Sequence, residues 1–207
     1  QDVQVASCCD RPKEHFQRFG LIEEANPNQL AQIFGNAPWA DHNKMPPERL
    51  EKLVSHFSQR DLSPSKVSND LLGGGYEYLL KRFSDESSTS AGQFFTPRAV
   101  VHLLVRILGP QPTDWIYDPA CGSGGMFVQS YKFLDEHKTN NKNTLSPYGI
   151  ESRPDIWRIC KMNLAMRGIN SNNILGPFDC LTEHPLEDLK ANYVLANPPF
   201  KVGEWGH

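Results

Sequence analysis

No apolar run in this chain is long enough to cross a bilayer, and no secretory signal pattern opens it. It also lacks a long basic run: 21 Lys+Arg stand against 24 Asp+Glu, for a net charge of −3. A protein that held nucleic acid unaided would carry a basic footprint. If nucleic acid is the substrate, most of the affinity comes from elsewhere. The five cysteines, Cys8, Cys9, Cys121, Cys160 and Cys180, show no Cys-x-x-Cys spacing. Their odd number argues against a disulfide framework, and they offer no zinc site. A reducing cytoplasm is the natural setting. The chain starts at Gln1 rather than Met, so its N-terminus reads as processed or trimmed.

What is present suits a globular fold. The 207 residues are enough for one domain, or one plus a small helical appendage. Hydrophobic residues make up 39% and charged ones 22%, ordinary for a packed core with a solvated surface.

The stretch Tyr193-Val-Leu-Ala-Asn-Pro-Pro-Phe200 organises the rest. An apolar run suited to a buried strand ends at Asn197. Pro198 and Pro199 have no N–H and cannot continue as central ladder members. The residue before a proline is pushed toward extended backbone. The result is a stiff elbow at a strand's carboxyl end, where open α/β sheets bind ligands. Asn197 offers an amide oxygen, Pro198 a carbonyl held nearly fixed, and Phe200 a flat apolar face. Two acceptors and a stacking surface suit the exocyclic amine of a planar ring such as adenine. The plainer alternative, a strand running into a Pro-rich turn, is equally weighted until the upstream motifs are considered.

Upstream, residues 1 to about 66 read as helical and connecting. Leu30, Ile33 and Phe34 fall at helical spacing, as do Leu50, Leu53, Val54 and Phe57. A loop marked by Pro38, Pro46 and Pro47 separates them, with Trp39 as a packing anchor. Ser63 is placed to cap a helix that starts near Pro64. From Val67 to Phe83 the pattern is amphipathic but interrupted by Gly73, Gly74 and Gly75. Such a run costs helix propensity and points to close backbone approach or a kink. Ser84 to Gly92 reads as a mobile loop that orders around a ligand.

Gly92-Gln93-Phe94-Phe95-Thr96-Pro97-Arg98 leads into a helix with a wide apolar face from Val100 to Leu108. Thr96 is a suitable N-cap and Pro97 a suitable first helical residue. Trp115 to Asp118 is a short strand. Pro119-Ala120-Cys121-Gly122-Ser123-Gly124-Gly125 follows, then a helix from Met126 to about Glu136. Strand, Gly-rich turn and helix bring backbone close to a ligand. The turn matches neither Gly-x-Gly-x-x-Gly nor a phosphate loop, which favours a ligand of nucleoside or amino-acid character. Asp118 is placed to meet an ammonium group. A second strand ends in Glu151, the position that takes ribose hydroxyls in doubly wound nucleotide sites. A helix from Pro154 ends at Gly168. A third strand, 173–176, is closed by Asp179, and Leu189 to Ala196 brings the fourth. One acid at one strand end is commonplace; three in succession beside a Gly-rich turn point to a site.

Together these residues resemble the class I S-adenosylmethionine-dependent methyltransferases of the amino-methylating type. They are most similar to the modification subunits of type I restriction–modification systems. The carriers are Gly-Gln-Phe-Phe-Thr-Pro-Arg (92–98), Asp-Pro-Ala-Cys-Gly-Ser-Gly-Gly-Met (118–126), Glu151 and Asn-Pro-Pro-Phe (197–200), in that order. Asp70-Leu71-Leu72-Gly73 and Tyr76-Glu77-Tyr78-Leu79 resemble that subunit's helical domain. The resemblance implies an N-terminal helical domain over 1–90 and a Rossmann-like catalytic domain over 91–207. It implies S-adenosylmethionine as cofactor and N6 of adenine in DNA as target, with no metal. Gln93, Phe94, Phe95, Thr96, Pro97 and Arg98 would line the methionine end, Thr96 touching the carboxylate. Asp118, Gly122, Ser123, Gly124 and Gly125 would hold the amino-acid moiety and the turn beneath it. Glu151 would bind the ribose, and Asp179 the cofactor's adenine amine, with Phe178 or Leu181 against the ring. Asn197, Pro198, Pro199 and Phe200 would receive the target base. The implied partners are DNA and a specificity subunit, with room for a restriction subunit, and no membrane.

The family's sheet has seven strands, whereas this chain reaches His207 just after a fourth. The expectation is therefore a truncated sheet, with weak or no transfer activity alone. Two other readings stand beside the enzyme. One is a truncated, inactive cofactor-binding or subunit-interaction fragment. The other keeps the chemistry and moves it to RNA, cytosine N4 or a protein amide.

Overall fold

The computed structural model describes residues 12–35, 43–63, 65–86, 96–137 and 145–198. Cys8, Cys9, Trp39, Pro64, Gln93, Phe94, Phe95, Pro199 and Phe200 lie outside them. The chain forms two compact units, Gln1–Ser68 and Asn69–His207.

The first unit contains α1 (Pro12–Ala25), α2 (Pro27–Leu30) and α3 (Pro47–Ser58). Leu30, Ile33 and Phe34 do not share a helix, contrary to their spacing. Ala31 turns extended (ψ 130°) and Gln32 takes a left-handed φ of 59°, so α2 ends at Leu30. The apolar residues pack the turn instead: Ile33 is buried, and the Phe34 ring stacks on Phe19 at 4.4 Å. The helix expected from Leu50 to Phe57 is α3, with Leu53 and Phe57 half-exposed. Ser63 caps no helix. Its N–H donates to Asp61 Oδ1 (3.0 Å) and its carbonyl accepts from Lys66 and Val67, which makes a turn.

The second unit holds α4 (Asn69–Glu86), α5 (Arg98–Leu108), β1 (Trp115–Asp118), α6 (Gly125–Glu136), β2 (Ser146–Ile150), α7 (Pro154–Ala165), β3 (Ile174–Leu175) and β4 (Tyr193–Val194). α4 packs on α7, which places it with the sheet rather than with the helices before it. It runs unbroken through all three glycines and three residues past Phe83, into the stretch expected to be loop. Gly73 explains the run in part. A Cβ there would lie 2.4 Å from Arg167 Cζ, whereas Gly74 and Gly75 have nothing within 4 Å of theirs. The predicted close approach is real at one glycine of the three.

The sheet is wholly parallel, in the order β3-β2-β1-β4. The chain steps outward from β1 to β3, then returns to the other side of β1. The strand order therefore reverses between β1 and β4, where open α/β sheets form their ligand crevice. β1 and β2 pair from Trp115↔Ser146 to Asp118↔Gly149; β1 and β4 pair at Ile116↔Tyr193 and Tyr117↔Val194. Val101 and Val105 of α5, Ile116, Phe127 and Val128 of α6, and Leu164 of α7 are buried around it. Burying a side chain such as Phe127 contributes about 1.5–3 kcal/mol. The α5 apolar face is only half used, since Val100, Leu103 and Ile107 are exposed. Among the described residues, no helix is long and apolar enough to cross a membrane.

Candidate active site

The crevice is built from the ends of β1 and β4. Past β4, Leu195 N–H donates to Tyr117 O (2.9 Å), so the ladder carries the chain to the elbow. Pro198 follows exposed, and Asn197 is partly buried. Asn197 Nδ2 donates to Thr96 Oγ1 at 3.1 Å, across 101 positions of sequence. Thr96 is not the N-cap of α5, as its position before Pro97 predicts. The helix starts at Arg98, with Pro97 in the cap position and no side-chain cap bond. A hydroxyl engaged by Asn197 serves the site instead of the helix end.

The turn after β1 is fastened on three sides. Cys121 N–H donates to Ile150 O (3.0 Å) and Gly124 N–H to Cys121 O (2.8 Å). Gly122 N–H donates to Glu151 Oε2 (3.0 Å), and Arg153 N–H to Oε1 (2.9 Å). Asn163 Nδ2 of α7 donates to Ser123 O (2.8 Å). Gly122 (φ 54°) and Gly124 (φ 80°) occupy the left-handed region that an ordinary side chain resists. A Cβ on Gly124 would also lie 2.8 Å from Cys160 Sγ.

The three predicted acids part company. Asp118 is 2% exposed beneath the turn, with Oδ1 accepting from Ala120 N–H (3.0 Å). Burial pushes its carboxyl up to about 7; the Ala120 bond opposes this, and the Glu151 charge adds to it. Glu151 is also buried, just past β2, and clasps the turn with both oxygens. A carboxylate has about four acceptor positions, so capacity for hydroxyl donors remains. Asp179 stands exposed, four residues beyond β3. Its Oδ1 accepts from Leu181 N–H (3.0 Å) and its N–H donates to Glu183 Oε2 (2.8 Å). Phe178 N–H donates to Glu151 O (3.1 Å), which ties this loop back to the end of β2.

The structure also sets residues that were given no site role beside three that were. Glu77 and Leu80 of α4 and Asn163 of α7 share a small cleft beside the turn with Thr96, Arg98 and Ser123. Arg167 braces it from behind. Its Nη1 donates to Asn163 O (3.0 Å) and to Asn163 Oδ1, and its Nη2 lies 3.0 Å from Glu77 Oε1. That last pair is close but poorly aligned as a hydrogen bond, so it acts mainly through charge. The signal for this group was the glycine run in α4; its partner, 94 positions away, had none.

Comparison with known proteins agrees with this geometry. The methylase subunit of the type I restriction enzyme HindI of Haemophilus influenzae is 38% identical over 154 residues, 73% of this chain and 34% of that protein. The MjaIX methylase subunit of Methanocaldococcus jannaschii is 33% identical over 189 residues, 89% of this chain and 32% of that protein. The chain thus spans about a third of the length of these curated relatives. The type I restriction–modification methyltransferase subunit of Streptococcus thermophilus superposes with a TM-score of 0.70 at 22% identity, over 91% of this chain and 41% of that one. That likeness speaks for the fold, which is the α/β sheet of class I S-adenosylmethionine-dependent methyltransferases, as expected. Residues 67–207 match the model of one family, N-6 DNA Methylase, and the chain belongs to it.

Proposed function

We propose that this chain carries the cofactor site and the target-base site of a DNA adenine-N6 methyltransferase, working as the modification subunit of a type I restriction–modification system. The observation that carries the reading is the Asn197–Thr96 hydrogen bond, which joins the amine-binding elbow to the 92–98 motif at the strand-order reversal. S-adenosylmethionine is the cofactor on this reading.

The residues present fit it. Gly122 and Gly124 hold the turn in a left-handed backbone that keeps it free of side chains at both positions, and Glu151, bonded to Gly122 N–H, offers acceptors beside it for a ribose diol. Arg98 and Thr96 line the neighbouring cleft and suit a carboxylate. Gln93, Phe94, Phe95 and Pro97 complete the methionine end on this reading, with Asp118, Ser123 and Gly125 around and beneath the turn. Asp179 takes the cofactor's adenine amine. When bound, the cofactor supplies an electrophilic methyl group on a sulfonium.

The chain's own part is alignment. An adenine amine cannot be reached inside a duplex stack, so the base is flipped out at a cost of a few kcal/mol. Stacking on Phe200 returns about 1–3 kcal/mol. Asn197 Nδ2 is committed to Thr96, which leaves Oδ1 as the amide's acceptor for the target amine. Oδ1 and the Pro198 carbonyl accept the two amine N–H groups and hold the nitrogen lone pair in line with the methyl carbon. Such orientation is worth several kcal/mol of barrier. Pro199 belongs to the same catalytic motif on this reading. DNA and a specificity subunit are the partners on this reading, with a restriction subunit in the complete system, in the cytoplasm.

Calorimetry with S-adenosylmethionine, followed by transfer of tritiated methyl groups to unmethylated DNA, tests the reading. Binding plus label at adenine N6 is expected. Label on RNA or on a protein amide instead would reject the DNA assignment, and absence of binding would reject the cofactor.

A further inference from the structure

One acid at the site has no role so far. Glu77 lies in the middle of α4 and lines the cleft with Thr96, Arg98, Ser123, Gly125 and Asn163. The cleft holds about 50 Å³. One water needs about 10–15 Å³ of such space and a cavity of about 150 Å³ takes benzene, so this one suits a small charged headgroup rather than a ring system. Two residues of opposite charge line it, Glu77 and Arg98.

Glu77 is held rather than free. Its side chain is 19% exposed, and Oε1 pairs with Arg167, itself 6% exposed. Oε2 has no partner among the described residues. The same guanidinium orients the Asn163 carboxamide, whose Nδ2 holds the Ser123 carbonyl. Arg167 thus ties the position of the acid to that of the turn, and Gly73 leaves it the room to do so. Asp118, the other acid near the turn, is buried to 2%, is hydrogen-bonded to Ala120 and does not line the cleft.

We propose that Glu77 is the binding residue for an ammonium group at the amino-acid end of the cofactor, with Arg98 toward its carboxylate. The inference rests on the cofactor reading above and adds a residue to which that reading gave no role at the site. The carboxylate Oε2 accepts one ammonium N–H, and no covalent step is involved.

The test uses this chain and two ligands that share the adenosine and differ at the amino-acid end. S-adenosylhomocysteine carries the ammonium; 5′-methylthioadenosine does not. Glu77→Gln keeps an acceptor for Arg167 and removes the charge. It should weaken S-adenosylhomocysteine by roughly tenfold or more, as expected for a charged hydrogen bond, and leave 5′-methylthioadenosine unchanged. Equal weakening of both ligands, or of neither, overturns the proposal. Should the variant not fold, the unaltered chain decides. It must bind S-adenosylhomocysteine roughly tenfold or more tightly than the analogue with hydrogen in place of the amine, and parity overturns the proposal. If the unaltered chain binds neither adenosine ligand, it is the cofactor reading that falls.

Discussion

Asn197 and Thr96 stand 101 positions apart and meet through one hydrogen bond, Nδ2 to Oγ1 at 3.1 Å. The bond does two things at once. It draws the start of α5 to the end of β4, and it engages the amide nitrogen of Asn197 while leaving the amide oxygen as an acceptor.

Thr96→Val keeps the shape and removes the acceptor. Methyl transfer should fall about three- to tenfold in kcat with KM for DNA less affected, because one neutral hydrogen bond of about 1 kcal/mol orients the amide. Asn197→Ala should abolish transfer while calorimetric cofactor binding stays nearly intact. Robust methylation by Asn197→Ala would remove that residue from the mechanism.

The glycines of α4 should separate sharply in a denaturant melt. Gly74→Ala and Gly75→Ala meet nothing within 4 Å and should gain about 0.5–1 kcal/mol from helix propensity. Gly73→Ala earns the same propensity but drives a methyl into the Arg167 guanidinium, 2.4 Å from Cζ. Because that guanidinium is buried and bound to Asn163 and Glu77, it cannot swing away freely. A net loss of about 1–3 kcal/mol is expected. Equal gains at all three positions would contradict the packing described.

Asp118 predicts a pH dependence. Burial pushes its carboxyl up to about 7 in the fold, from an ordinary value of about 3.9. The folded chain therefore binds the proton more tightly than the unfolded one. Below about 4 both states are protonated and nothing is lost. As pH rises from about 4 to 7 stability falls, by up to ~4 kcal/mol from this group at 1.36 kcal/mol per unit. Asp118→Asn should flatten that slope and raise the melting temperature at pH 8. An unchanged slope would mean that the carboxyl is not strained by burial.

Much of this site could be read in the sequence because its parts are local. Trp115–Asp118 followed by glycines and an apolar helix is a pattern within 25 residues, and β1, the turn and α6 fall within a residue of their expected bounds. Where the deciding contact was distant, local rules misled. Thr96 has every feature of an N-cap, yet its hydroxyl is engaged by Asn197. Leu30, Ile33 and Phe34 kept helical spacing without a helix, since Gln32 adopts a left-handed conformation that no spacing rule foresees. Arg167 and Glu77 were invisible for the same reason: their importance lies in a pairing that only folding creates.

The elbow and the glycine turn leave from neighbouring strands, held at Ile116↔Tyr193 and Tyr117↔Val194. Adjacent strands run about 4.8 Å apart, so on the proposed reading the backbone ladder itself gauges the gap between methyl donor and acceptor. Sliding β4 by a single residue along β1 would turn its side chains to the opposite face. On that reading Asn197 would lose its place beside the glycine turn, with every residue of the motif still in the chain and no chemistry left for them to do.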